Sequence, residues 1–346
     1  MKELQLILDT LERHPSRGAA LATLVEVEGS SYRRPGARKL VLEDGTAVGM
    51  ISGGCLEQDV VERARQTLAS GESQIVVYDT TQDNDLIWGV GLGCQGIIRI
   101  LVEKLPSAPQ WVAQLRANFR DRRATELIVI HRSAVGGHSE AEADACGTFL
   151  GSQRPELRGA EDSAEGVFCE CVPPPAALMI FGAGDDAIPL VRMAHEVGWH
   201  VSVCDSRATY ASRARFPDAQ ALIVVAAAGA AARVPLDARV HAVVMTHRYS
   251  EDATLLRWLL AQPLAYLGVL GPRSRTARIL SELGEPGVPA TREHLYAPIG
   301  LDIGGSTPEN VAISILAELQ AVQSGRAANH LRARTRPIHA SGDDRS

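Results

Sequence analysis

From Ala177 onward, short apolar runs alternate with helix-like segments: LMIF at 178–181 and a helix to Gly198, HVSVCD at 200–205, LIVV at 222–225, AVVMTH at 242–247 and a helix over Ala253–Leu260, then AYLGVL at 265–270 and a helix over Ser274–Leu283. Short strand-like runs that alternate with helices predict a Rossmann-like, doubly wound parallel sheet, an α/β fold. A closing helix carries Ala312, Ile315, Leu316 and Leu319 on its apolar side. The earlier sequence reads differently. Strands are predicted at Ala20–Val27, Lys39–Leu42, Gln74–Tyr78, Ile97–Leu101 and Glu126–His131, with one clear helix over Leu56–Leu68 and an amphipathic one at the start that places Leu4, Ile7, Leu8 and Leu11 on one face. This is an α+β pattern, followed by a Gly- and Glu-rich stretch, Ser133–Gly166, that reads as loops and short edge strands.

Three consecutive prolines, Pro173–Pro175, separate the two patterns with a stiff connector. The predicted organisation is an N-terminal α+β domain at 1–172, a Rossmann-like domain at 173–325 and a disordered tail at 326–346. A length of 346 residues suits two domains, each with its own core. No apolar run is long enough to span a membrane, and the opening helix lacks the basic start and unbroken apolar stretch of an export signal. Six cysteines without a CxxC pair support neither a disulfide scaffold nor a zinc ribbon, so a reducing cytoplasm is expected. The net charge of -6 argues against nucleic acid as a partner and confines any anion site to a local cluster.

In the second domain, Phe181-Gly182-Ala183-Gly184-Asp185-Asp186-Ala187 follows a strand and opens a helix, which matches the G-x-G-x-x-A fingerprint of dinucleotide folds. Asp205 closes the next strand, where an acid accepts from a ribose diol. Asp185 and Asp186 weaken the pyrophosphate version, because they repel phosphate where the helix attracts it; a pterin with ring donors suits such a loop better. Thr246, His247 and Gly271–Arg275 end neighbouring strands and are expected to converge on the same crevice, with Arg273 and Arg275 as candidate anion holders. The segment Gly300–Glu309 contains Asp302 and a glycine pair ahead of Thr307-Pro308, a helix-start signal.

In the first domain, Arg33, Arg34, Arg38 and Lys39 cluster around a Pro-Gly turn and are expected to face an anion. Gly53-Gly54-Cys55 places a thiol at a predicted helix start, the setting in which cysteine becomes nucleophilic or metal-binding. Cys94, inside Gly89–Gly96, repeats the arrangement. Cys169 and Cys171 are read as core-facing or incidental, and Cys146 and Cys204 as packing residues.

The strings GSSYRRPGA, ISGGCLEQD, GLGCQG, IFGAG, MTH, YLGVLGPRSR and PIGLDIGGSTPE, in that order, resemble the XdhC/CoxI family of xanthine dehydrogenase accessory proteins from Gly29 to Leu319. The resemblance implies a molybdenum cofactor (molybdopterin) chaperone that works with a cysteine desulfurase and supplies a molybdenum hydroxylase such as xanthine dehydrogenase, as a homodimer by family analogy. It marks Gly53, Gly54, Cys55, Glu57, Gly91, Gly93 and Cys94 in the first domain, and Gly182, Gly184, Asp205, Thr246, His247, Gly271, Arg273, Asp302 and Pro308 in the second. Gln95 departs from the glycine expected after the second cysteine. Soft thiolates at Cys55 and Cys94 suit contact with molybdenum or its sulfur, and basic groups such as Arg33 and Arg34 suit the cofactor phosphate. Two other readings stand beside this one: an NAD(P)-dependent oxidoreductase built on the Rossmann-like half, and a scaffold that only docks enzyme to sulfur donor.

Overall fold

A computed structural model describes residues 1–79, 96–131, 146–158, 166–284 and 294–335. The chain divides into two compact units, Met1–Pro175 and Ala176–Ser346.

The first unit is built on a five-stranded antiparallel sheet of β1 (Ala19–Gly29), β2 (Arg38–Leu42), β3 (Ala47–Gly49), β4 (Gln74–Asp79) and β5 (Gly96–Lys104), in the order β3-β2-β1-β5-β4. Alternation along β1 sorts its side chains between two cores. Ala20, Ala22 and Leu24 meet Val60 and Ala64 of helix α2 (Glu57–Ser70). Leu21, from the opposite face, packs with Leu4, Ile7 and Leu8 of α1 (Lys2–Arg13) and with Trp111, Leu115 and Phe119 of α3 (Gln110–Arg120). A second, three-stranded antiparallel sheet of β6 (Thr125–Ile130), β7 (Gly147–Leu150) and β8 (Val167–Val172) adds Leu127 and Val172 to that core.

The second unit holds six parallel strands: β9 (Ala177–Phe181), β10 (His200–Asp205), β11 (Ala221–Val224), β12 (Val240–Val244), β13 (Tyr266–Val269) and β14 (Leu295–Tyr296). Their order, β11-β10-β9-β12-β13-β14, is the Rossmann order, with its switch point between β9 and β12. The central strand shows why its sequence is apolar at every position. Leu178 and Ile180 face α4 (Ala187–Glu196) and α8 (Pro308–Ser324), whereas Met179 and Phe181 face α6 (Tyr249–Leu259) and α7 (Arg273–Glu282). Each such side chain, fully buried, contributes about 1.5–3 kcal/mol. The remaining helix, α5 (Ala230–Arg233), is a single turn after β11. Among the described residues, no helix is long and apolar enough to cross a membrane.

Candidate functional site

Because all six strands run the same way, the segments that follow them share the carboxyl edge of the sheet. The turn after β9 needs its first glycine. Gly182 has φ +116°, and an added Cβ would lie 2.6 Å from the Met245 carbonyl carbon and collide with its oxygen. The turn is thus pressed against the end of β12, at the switch point.

Asp205, at the end of β10, is buried and fully engaged. Its Oδ2 accepts from the Ala183 N–H and Arg207 Nη2, both at 2.8 Å, and its Oδ1 accepts from the Arg207 N–H and Nε, both at 2.9 Å. A carboxylate has about four acceptor positions; all are taken. Burial works to raise the Asp205 pKa, but the Arg207 fork and the Ala183 amide outweigh it and hold it at about 2. The ribose-type role expected of Asp205 therefore requires Arg207 to leave. Arg207 and Arg215 both approach the Tyr210 ring, at 3.7 and 4.8 Å from its centroid, and Arg215 also donates to the Ala183 carbonyl at 3.0 Å and to Asp185 at 2.9 Å. Cys204 is buried beside Asp205, and burial raises its thiol to about 11, in keeping with a packing role.

After β12, Thr246 donates to the buried carboxylate of Asp252, which also takes Arg275. Burial raises the pKa of Asp252, against the pull of Thr246 and Arg275. Arg275 is thus occupied internally, while Arg273 stands exposed at the first position of α7. His247 has φ +60° and its Nε2 lies 2.7 Å from Asp186 Oδ2, so the turns after β9 and β12 are clasped together. After β14, Gly300 donates to Glu318 of α8 at 2.9 Å and Tyr266 donates its hydroxyl to the same carboxylate. Thr307 caps α8 by accepting from the Asn310 N–H at 3.3 Å, and the exposed Asp302 lies between these anchors.

In the first unit, the basic cluster differs from the expected open anion site. Arg33 pairs with Glu3 at 2.6 Å, Arg38 is buried against Glu170, and Lys39 is buried against Glu57 at 2.7 Å. Arg38 and Lys39 belong to β2 rather than to the turn, so their stems are covered by the sheet. Arg34 is exposed and has no ion pair among the described residues. Cys55 is also exposed, but α2 begins only at Glu57, and Glu57 and Asp59 crowd its first turn with negative charge. The expected thiol at a bare helix start is instead a thiol on a glycine turn. Glu57 holds that turn from beneath: its Oε1 accepts from the N–H groups of Ile51 at 3.0 Å and Ser52 at 2.8 Å, and from the Ser52 hydroxyl at 3.2 Å. Burial opposes ionisation of Glu57, yet Lys39 and these amides prevail and its pKa is lowered. Ser52 Oγ in turn accepts from the Gly54 and Leu56 N–H groups. Cys94 lies outside the described residues, as do its flanking glycines. Cys169 is half-buried and Cys171 exposed, so neither is a core residue.

The supporting residues Arg207, Asp252 and Glu318 carry no motif. Arg207 had one signal, a cation two positions after the strand-ending acid. Among the described residues, no three His, Cys, Asp or Glu side chains are grouped to hold a metal ion.

A family model described as the XdhC Rossmann domain matches residues 178–319, and one described as the XdhC and CoxI family matches residues 13–79. A probable xanthine dehydrogenase subunit from Bacillus subtilis is 34% identical over 309 residues, covering 87% of this chain and 92% of its own, and the molybdenum cofactor insertion chaperone PaoD of Escherichia coli is 27% identical over 89% of this chain and 84% of its own. A crystal structure described as a xanthine dehydrogenase from Bacillus halodurans superposes with a TM-score of 0.79 at 32% identity, covering 96% of this chain and 98% of its own.

Proposed function

Because the chain belongs to the XdhC and CoxI family, we propose that it is an accessory protein that binds molybdenum cofactor and delivers it to a molybdenum hydroxylase of the xanthine dehydrogenase type. The cofactor is cargo here. A cysteine desulfurase supplies the sulfur while the cofactor is held, the protein protects the sulfurated form, and it works in the cytoplasm as a homodimer.

The observation that carries the reading is the displayed thiol. Cys55 stands exposed on a turn whose amides are bonded from below, so the sulfur is presented without being consumed by the fold. A soft sulfur donor on a fixed backbone is what contact with molybdenum or its sulfido ligand requires. Exposed Arg34, in the same unit as Cys55, fits an anionic phosphate, since it has no ion pair among the described residues. Cys94 is the second proposed thiol. With its acceptors filled, Asp205 acts as a positioning residue for the turn at Ala183.

The test is retention and hand-over. Protein incubated anaerobically with molybdenum cofactor and then desalted should retain molybdenum and pterin together, and a C55S/C94S double variant should retain at least about ten-fold less and leave a client hydroxylase immature. Undiminished retention and normal maturation by the double variant would overturn the reading.

A further inference from the structure

The Rossmann strand order and the G-x-G-x-x-A turn create the usual seat for a dinucleotide, yet both places where such a ligand is gripped are filled by the chain's own side chains. The first is the diphosphate seat, where the second glycine of the turn lets phosphate approach the backbone at a helix amino end. Here that glycine is Gly184, and the position its Cβ would take lies 2.5 Å from Asp186 Oδ1. Asp186 is also the N-cap residue of α4, so its negative charge stands where the phosphate charge would be drawn. It is held there by His247, 2.7 Å from the other carboxylate oxygen. The second place is the diol seat at Asp205, whose acceptor positions are taken by Arg207 and the Ala183 amide.

We propose that Asp186, clasped by His247, is the specificity-determining residue that closes this crevice to dinucleotides and other diphosphates. The carboxylate acts in two ways, by occupying the space above Gly184 and by repelling a second anion from the helix end. This separates the fold from the oxidoreductase chemistry that its strand order invites. Asp185 does not share the role. Its side chain is 85% exposed and turned toward Arg215 rather than over the turn.

The experiment is a titration of the full chain with NADH, followed by ligand fluorescence, and with ADP, followed by calorimetry. Asp186→Ala should bind both ligands at least about ten-fold more tightly than the unaltered protein, and Asp186→Asn, which keeps the bulk but removes the charge, about three-fold more tightly. Asp185→Asn should change neither. Equal affinity of unaltered protein and D186A, or no saturation by either, would overturn the proposal. So would a gain for NADH without one for ADP, because the seat is a diphosphate seat, or an equal gain in D185N, because net charge alone would then explain it. Circular dichroism establishes that each variant is folded; should D186A not fold, D186N decides, and absence of any gain in it overturns the proposal.

Discussion

An added methyl at Gly182 would collide with the carbonyl of Met245, whereas at Gly54 it would meet nothing within 4 Å. Both glycines have positive φ, +116° and +125°, and both sit in turns ahead of a helix. The first is a packing requirement, imposed by the neighbouring strand end at the switch point. The second leaves the surface bare beside Cys55. A Gly-rich string in a sequence therefore has two physical meanings: close approach of backbone to the protein itself, and close approach of something else. Gly182 has the first meaning, and the proposed cargo contact at Cys55 would give Gly54 the second.

The comparison can be broken most forcefully at the packed turn. Gly182→Ala should lower stability by about 3–4 kcal/mol, through the clash and the left-handed backbone together, as measured by urea denaturation. In the other turn the support is electrostatic. Glu57→Ala strands the buried Lys39 and two amides, for a loss of about 2–3 kcal/mol, and amide exchange at Ile51 and Ser52 should quicken. Acid probes the anchor of the packed turn. The folded-state pKa of Asp205, about 2, lies below the ordinary 3.8, so its stabilisation is complete above about pH 4 and is lost as pH falls through about 2. A chain with Asp205→Asn should lose about 2 kcal/mol at neutral pH and show a correspondingly flatter stability profile below pH 4. The smallest effect belongs to the open turn: Gly54→Ala should cost about 1 kcal/mol, for its backbone conformation alone. If Gly54→Ala proved as damaging as Gly182→Ala, the distinction between the two turns would collapse.

The parallel sheet was legible because buried strands have no solvent face to encode: LMIF and AVVM are apolar at every position, and helices separate them. In the first unit the longer strands were legible as short runs of β-branched and other apolar residues, as in Gln74–Tyr78, whereas β3 is three residues long and α3 starts after a proline without a side-chain cap. Such elements are specified by what they pack against, which is not written locally. The glycine turns were legible too, since positive φ leaves a residue-type signature. The state of the charges was not. Arg33, Arg34, Arg38 and Lys39 look alike in a string, and only the fold shows that Glu3, Glu170 and Glu57, distant in sequence or on another element, neutralise three of them. Charge partners lie across the fold, so a basic run shows where cations are and not whether they are free.

The last helix has a consequence for how the chain is made. Ile315 and Leu319 of α8 cover the face of the sheet that begins with Leu178 and Ile180, and Glu318 ties Tyr266 and Gly300 to the same helix. Every strand of that sheet leaves the ribosome before α8 does. At roughly 5–20 residues per second, the interval between Leu178 and Ile315 is on the order of 7 to 27 s, during which this apolar face has α4 and the Ala211, Phe216 and Ala219 side chains over it but not α8. The second unit therefore depends, in every round of translation, on not associating with other nascent chains until its last seventeen-residue helix arrives.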